Sequence, residues 1–166
     1  MITPNKLAKE SESSHQVAFF AYCAVAESHG FEVADEWCDT GKINRIKSKP
    51  LPCLQWIYHI PNGGSRGDTK KARMIRGAKM KAEGVKKGIP DVHLPFPINY
   101  LNIWWHSLYI EMKKPSEKPK RKTSKGGMSD EQIAFREYCV EHHFAFATCY
   151  NWKEAVDILK MYVDPN

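Results

Sequence analysis

Residues 109–113 read Tyr-Ile-Glu-Met-Lys, and the reading of this pentapeptide decides what domain surrounds it. From Ser107 to Lys113 the chain carries branched and aromatic side chains with no glycine or proline, which predicts a β-strand. A period of two puts Glu111 and Lys113 on one face and Ile110 and Met112 on the other. Met112 then anchors the strand in a core while an acid and a base project side by side. Upstream, Asp91 follows Pro90 at the start of a second short strand, Val92 to Phe96. If the two strands pair, Asp91 and Glu111 converge on one hard divalent cation, with the Met112 main-chain carbonyl as a further oxygen ligand. Lys113 is then placed to orient a water or hold a nonbridging oxygen, which is equipment for hydrolysing a phosphodiester. The plainer alternative is a surface ion pair of small energetic weight.

Working outward, a helix is expected from Ser11, with Ser11 or Ser13 as its cap, an apolar stripe of Val17, Phe20, Ala21, Ala24 and Val25, and a stop at Gly30. Residues 1–10 are polar and expected to fray. Phe31 to Val33 suggests a short strand, 35–52 a hairpin or loop, and Leu54 to Ile60 a strand ended by Pro61, Asn62, Gly63 and Gly64. Residues 68–83 predict a basic helix capped by Asp68 or Thr69, with Gly84 at its exit. Three aromatic residues between Tyr100 and Trp105 lie near a turn, and Pro115 to Gly127 marks an exposed, mobile basic loop. Ser129 and Gln132 have capping-box spacing at the head of the next helix. Phe144 to Cys149 then reads as a strand and Trp152 to Tyr162 as the closing helix, with Ala155, Val156, Leu159 and Tyr162 inward. This order predicts an α/β domain with a mixed sheet flanked by helices.

The 166 residues carry 25 Lys plus Arg against 19 Asp plus Glu, a net charge of +6. The excess is segregated: residues 66–87 hold nine cations against two acids and residues 110–125 seven against two, so the remainder of the chain is acidic. Two basic segments on an acidic chain point to a polyanion, most simply nucleic acid. The five cysteines form no CxxC pair, which argues against a structural zinc site or disulfide framework and for reduced thiols. No run is long enough for a membrane helix and no secretory signal is present, so a cytoplasmic protein without a membrane partner is expected. The histidines suggest no transition-metal site; His93, two residues beyond Asp91, is a lesser candidate for a water or phosphate contact.

Several strings together resemble the virus-type replication-repair nuclease (VRR-NUC) family, a branch of the PD-(D/E)xK nucleases, and in particular its small stand-alone phage and bacterial members. They are IPNGG at 60–64, AEGVKKGIPDV at 82–92, YIEMKK at 109–114, GGMSDEQIAF at 126–135 and YNWKEAVDILKMY at 150–162. The likeness implies a restriction-endonuclease-like core in a single nuclease domain over residues 11–163. It gives Asp91, Glu111 and Lys113 the core catalytic roles, with Mg²⁺ or Mn²⁺ as cofactor and no nucleotide. Glu12 resembles the acid of the first helix that binds or orients a metal ion, and Gln16 lies one turn later on the same face. Glu10 is the competing acid and requires a different helix phase. Gln132 resembles the glutamine that positions Lys113 or the phosphate. The chain departs from the simplest pattern at 31–53, an insertion, and at 97–108, where Trp104 and Trp105 close the core, form an interface or touch substrate.

In the basic segments Arg66, Arg73 and Arg76 are the preferred DNA contacts. Lys122 and Lys125 belong to a flexible arm that engages a second backbone, and Lys114 adjoins the site. The resemblance further implies a homodimer that cuts four-way (Holliday) junctions or other branched DNA in repair, in the host bacterial cytoplasm if the protein is phage-encoded. A flap or splayed-arm nicking nuclease, and a DNA-binding replication or repair accessory without catalysis, are the alternatives.

Overall fold

The computed structural model describes residues 1–61, 69–120 and 125–165. The chain begins with one helical turn, α1 (Pro4–Leu7), in which Pro4 is buried. The Asn5 side-chain amide donates to the Cys38 carbonyl at 3.0 Å and Leu7 and Ala8 pack on the core, so α1, within the stretch expected to fray, is docked, while Met1, Ile2, Lys9 and Glu10 are exposed. Ser11 caps α2 (Glu12–His29) by accepting the Ser14 amide, which decides between the two candidate serines. The apolar stripe is rotated from its expected phase. Ala18, Phe19, Tyr22, Cys23, Val25 and Ala26 are buried, while Val17 is 52% exposed and Ala24 faces solvent. Tyr22 sets this rotation, because its ring lies between Phe31 and Trp152 while its hydroxyl reaches Asp35 at 2.9 Å.

The expected strand at Phe31 to Val33 is the first turn of a helix, α3 (Phe31–Thr40). Its buried residues, Val33, Ala34, Trp37 and Cys38, recur with helical period, a pattern too long to be visible in three residues. Gly30 ends α2 and starts α3 at φ 87°, and an added Cβ there would meet the Lys49 carbonyl oxygen at 2.3 Å. That close approach stitches residues 31–53 back onto α2, where the Lys49 and Leu51 amides donate to the His29 and Glu27 carbonyls. The expected strand from Leu54 is mostly a 3-10 turn, Pro52–Trp56, and only β1 (Tyr58–His59) joins the sheet.

The basic helix forms as α4 (Lys70–Ala82), with Thr69 accepting the Ala72 amide. There follow β2 (Val92–Leu94), then β3 (Ile98–Tyr100) and β4 (Ile103–Trp105), a separate antiparallel hairpin turning through Leu101 and Asn102 at positive φ. Trp105 packs against the core, whereas Trp104 is 58% exposed. After β5 (Leu108–Met112) come α5 (Asp130–Glu141), β6 (Ala145–Cys149) and α6 (Trp152–Val163). The four-stranded sheet has the order β1-β2-β5-β6, antiparallel except for β5 and β6. A parallel pair needs a crossover, and α5 supplies it.

Val92, Leu94, Leu108, Ile110 and Met112 point into the core shared with α2, α3 and α6. The other face carries Tyr109, whose ring meets Phe135 of α5 edge-on at 5.2 Å. The result is a mixed sheet flanked by helices, as expected. Ala155, Val156, Leu159 and Tyr162 are buried on α6, and the five cysteines are unpaired thiols. Among the described residues no helix is long and apolar enough to cross a membrane.

Replacing Gly30 combines positive-φ strain with a backbone collision. Gly30→Ala is expected to lower the unfolding free energy by about 2–3 kcal/mol, measured by urea denaturation. A loss of only a few tenths would show that this segment can shift away from α2.

Candidate active site

Register brings the sequence-predicted acids together. Val92 lies opposite Ile110, so the next pair, just beyond the end of the β2–β5 ladder, is Asp91 and Glu111. Asp91 Oδ2 accepts the Met112 amide at 2.9 Å, so the aspartate is fixed by the strand carrying the other catalytic candidates. Glu111 is 2% exposed and Lys113 9%, and the Lys113 ammonium donates to Glu111 Oε1 at 2.7 Å. The same Oε1 accepts from the Gln132 side-chain amide. Glu111 Oε2 is buried with no hydrogen-bond partner.

Gln132 closes the expected capping box and also reaches into the site. Its Oε1 accepts the Ser129 amide at 2.9 Å and Ser129 Oγ accepts the Gln132 amide at 3.2 Å, which closes the capping box. The amide nitrogen that remains points at Glu111; the positioning contact is therefore to the acid and not to Lys113. Glu12, in the first turn of α2, is partly buried and feels the charges of Asp91 and Lys113, whereas Glu10 precedes the helix and is exposed. One turn on, the Gln16 side chain meets His59 Nδ1, which also lies 2.9 Å from the Asp91 carbonyl.

The acids repel one another in a poorly solvated place. Burial, then Asp91, pushes the Glu111 carboxyl from its ordinary 4.5 to about 7, against the lowering pull of Lys113. Burial raises Asp91 too, opposed by the Met112 amide and Lys113. Glu12 is raised by burial and then by Asp91. Burial alone would lower the Lys113 ammonium, but Glu111, Glu12 and Asp91 together raise it, so it stays charged.

Among the described residues no group of three or more His, Cys, Asp or Glu side chains forms a ready-made cation cage. The donor set that is present still fits a hard divalent ion. Glu111 keeps one buried carboxylate oxygen without a partner and feels the charge of Asp91, and burial raises both acids.

The expected DNA contacts are more scattered. Arg73 and Arg76 lie on exposed α4. Lys114 is exposed beside the site and its amide donates to Glu117. Lys125 pairs with Asp130 at 2.5 Å and Lys118 with Glu154 at 2.8 Å, both at the protein surface. Arg66 and Lys122 lie outside the described residues.

Sequence reading missed His59 and Tyr58. The Tyr58 hydroxyl meets His93 Nδ1 at 2.8 Å, and His93 stacks on Tyr109 with centroids 4.3 Å apart. This aromatic column continues the face that carries Asp91 and Glu111. Its signal was the alternation Asp91, His93 opposite Tyr109, Glu111, legible only once the β2–β5 register is known. No protein-family model, curated protein or solved structure matches the chain.

The raised Glu111 value has a stability consequence of definite sign. The folded state holds this proton more tightly than the unfolded chain, so the proton's contribution is fully present below about pH 4.5 and lost as pH rises through about 7. In metal-free buffer, Tm of Glu111→Gln is expected to fall less between acidic and mildly alkaline pH than that of the wild type. The expected difference is about 5 °C, read by scanning calorimetry. Parallel curves for the two proteins would show that Glu111 is not held in a proton-retaining environment.

Proposed function

We propose that this protein is a divalent-metal-dependent, structure-selective DNA endonuclease of the PD-(D/E)xK type, akin to the small stand-alone VRR-NUC proteins. The observation carrying this reading is the buried Glu111–Lys113 ion pair with the second Glu111 oxygen unpartnered beside Asp91. A structural ion pair satisfies its lone pairs; one with an oxygen left over next to another carboxylate is arranged to receive a cation.

Asp91, Glu111 and the Met112 carbonyl would hold Mg²⁺ or Mn²⁺, with Glu12 as the additional acid. A bound divalent ion supplies a lowered water pKa and neutralises charge gathering on the phosphate. The chain's own residues do the placing. Gln132 and Lys113 together hold Glu111 Oε1, so its other oxygen faces the reaction space. Lys113, kept charged by three acids, presents its remaining ammonium protons to a nonbridging phosphate oxygen or an attacking water. Glu12 accepts a hydrogen bond from that water or supports the cation from the α2 side. The basic segments supply sequence-independent attraction for the DNA backbone.

The small stand-alone members suggest a homodimer that cuts both strands of a four-way junction. Purified protein with Mg²⁺ or Mn²⁺ is expected to cut junction DNA faster than flap, splayed-arm or linear duplex substrates. Asp91→Asn and Lys113→Met should each slow single-turnover cleavage by about 10²–10⁴-fold while junction binding changes little. Undiminished cutting by either variant overturns the site, and tight binding with no cutting by the parent returns the protein to a non-catalytic accessory role.

A further inference from the structure

The helix α4 has an architecture unlike that of the other long helices. Its 13 residues bury no side chain, and every one except Met80 is exposed. No described element packs against it to any substantial extent. An isolated helix of this length is marginal in water, because nucleation is costly and packing ordinarily supplies the stability. The described core of this chain does not complete it.

Its charges identify the partner. Lys70, Lys71, Arg73, Arg76, Lys79 and Lys81 lie on it with no acid before the cap residue Glu83. At 100° per residue these cations are distributed around the whole circumference. A helix lying on a membrane keeps its cations on one side and a broad apolar face on the other. Here the large exposed apolar side chains are Met74 and Ile75. Cations on all sides suit a helix lying between two walls of phosphate, as in the major groove of B-form DNA, about 12 Å wide. The deep, narrow major groove of A-form RNA does not admit a helix.

The placement ties this helix to the site. α4 lies in the excursion that leaves the sheet after β1 and returns at β2. At its base the Ile60 amide donates to the Asp91 carbonyl at 2.7 Å. The returning limb passes Gly88, at φ 83°, where an added Cβ would come within 2.6 Å of Glu131 backbone atoms. That backbone belongs to the first turn of α5, which holds Gln132 against Glu111. One root of the excursion thus rests on the aspartate of the candidate site and the other on the turn that orients its glutamate.

We propose that α4 is a DNA-gripping arm whose helix is stabilised by the major groove of a B-form duplex, and whose seating on that duplex sets the cut site beside Asp91. The identity of the partner rests on the DNA-cutting reading above; the arm's lack of packing does not.

The test uses full-length protein, a two-turn duplex and metal-free buffer, so that binding is read without cleavage. Amides of residues 70–82 are expected to exchange rapidly in free protein and to slow by at least about tenfold on duplex addition, with the sheet unchanged. Ala72→Gly and Ala78→Gly alter no charge and touch no core. Each should weaken duplex binding about fivefold while leaving Tm unchanged. Lys79→Gln with Lys81→Gln should flatten the dependence of log K on log salt by about 0.9 for each phosphate that is no longer neutralised. If wild type binds duplex but the glycine variants bind equally well and α4 exchange does not slow, the arm proposal is overturned and the nuclease reading stands. If wild type binds neither duplex nor four-way junction DNA, both are overturned; if it binds phosphatidylserine vesicles more tightly than DNA through α4, the arm proposal alone is overturned.

Discussion

The burial of the Glu111 carboxylate is the constraint on which the candidate site depends. A carboxylate 2% exposed is costly unless it is compensated, and Lys113 compensates only one of its two oxygens. Replacing the pair by apolar residues of similar volume would give β5 an easier interior, so a fold built for stability alone has little reason to keep it. The remaining oxygen and the crowding by Asp91 make the site receptive to positive charge. Electrostatic tension in the folded protein is thereby stored at this point.

Two elements hold that tension in place. The β2–β5 ladder fixes Asp91 through the Met112 amide, a bond set by strand register. α5 fixes Glu111 from the opposite side through Gln132, whose other polar atoms are committed to the capping box. Because the cap determines the glutamine rotamer, the helix terminus and the site are a single construction. Loss of Ser129 would disturb Glu111 as well as the helix.

Much of this was legible in the sequence, for physical reasons that also explain the failures. The strand at Tyr109–Lys113, the capping box at Ser129 and the α6 stripe announce themselves through local period and local chemistry. The 31–53 region did not, because α3 is short and interrupted by polar residues, and its first residues, Phe-Glu-Val, have the alternation of a strand. α2 was found but misphased, since Tyr22 carries a polar hydroxyl and its burial depends on Asp35 and Trp152, which sequence cannot place. Glu12 and Gln132 entered through family resemblance and local spacing; their convergence on the site required the packing of helices far apart in the chain. His59 and Tyr58 were invisible for the same reason. The VRR-NUC resemblance itself rests on ordered short motifs of the sequence.

The bond between the Trp152 amide and His15 spans 137 residues. It joins α2, which carries Glu12 nearly one turn before His15, to the first residue of α6. α6 is the last element of this sheet and its helices in chain order, whereas α1, α3 and the 3-10 turn that also pack on α2 are near it in sequence. The closure of α2 against α6 is thus among the most non-local contacts of the fold, and a long loop must be closed before its packing is gained.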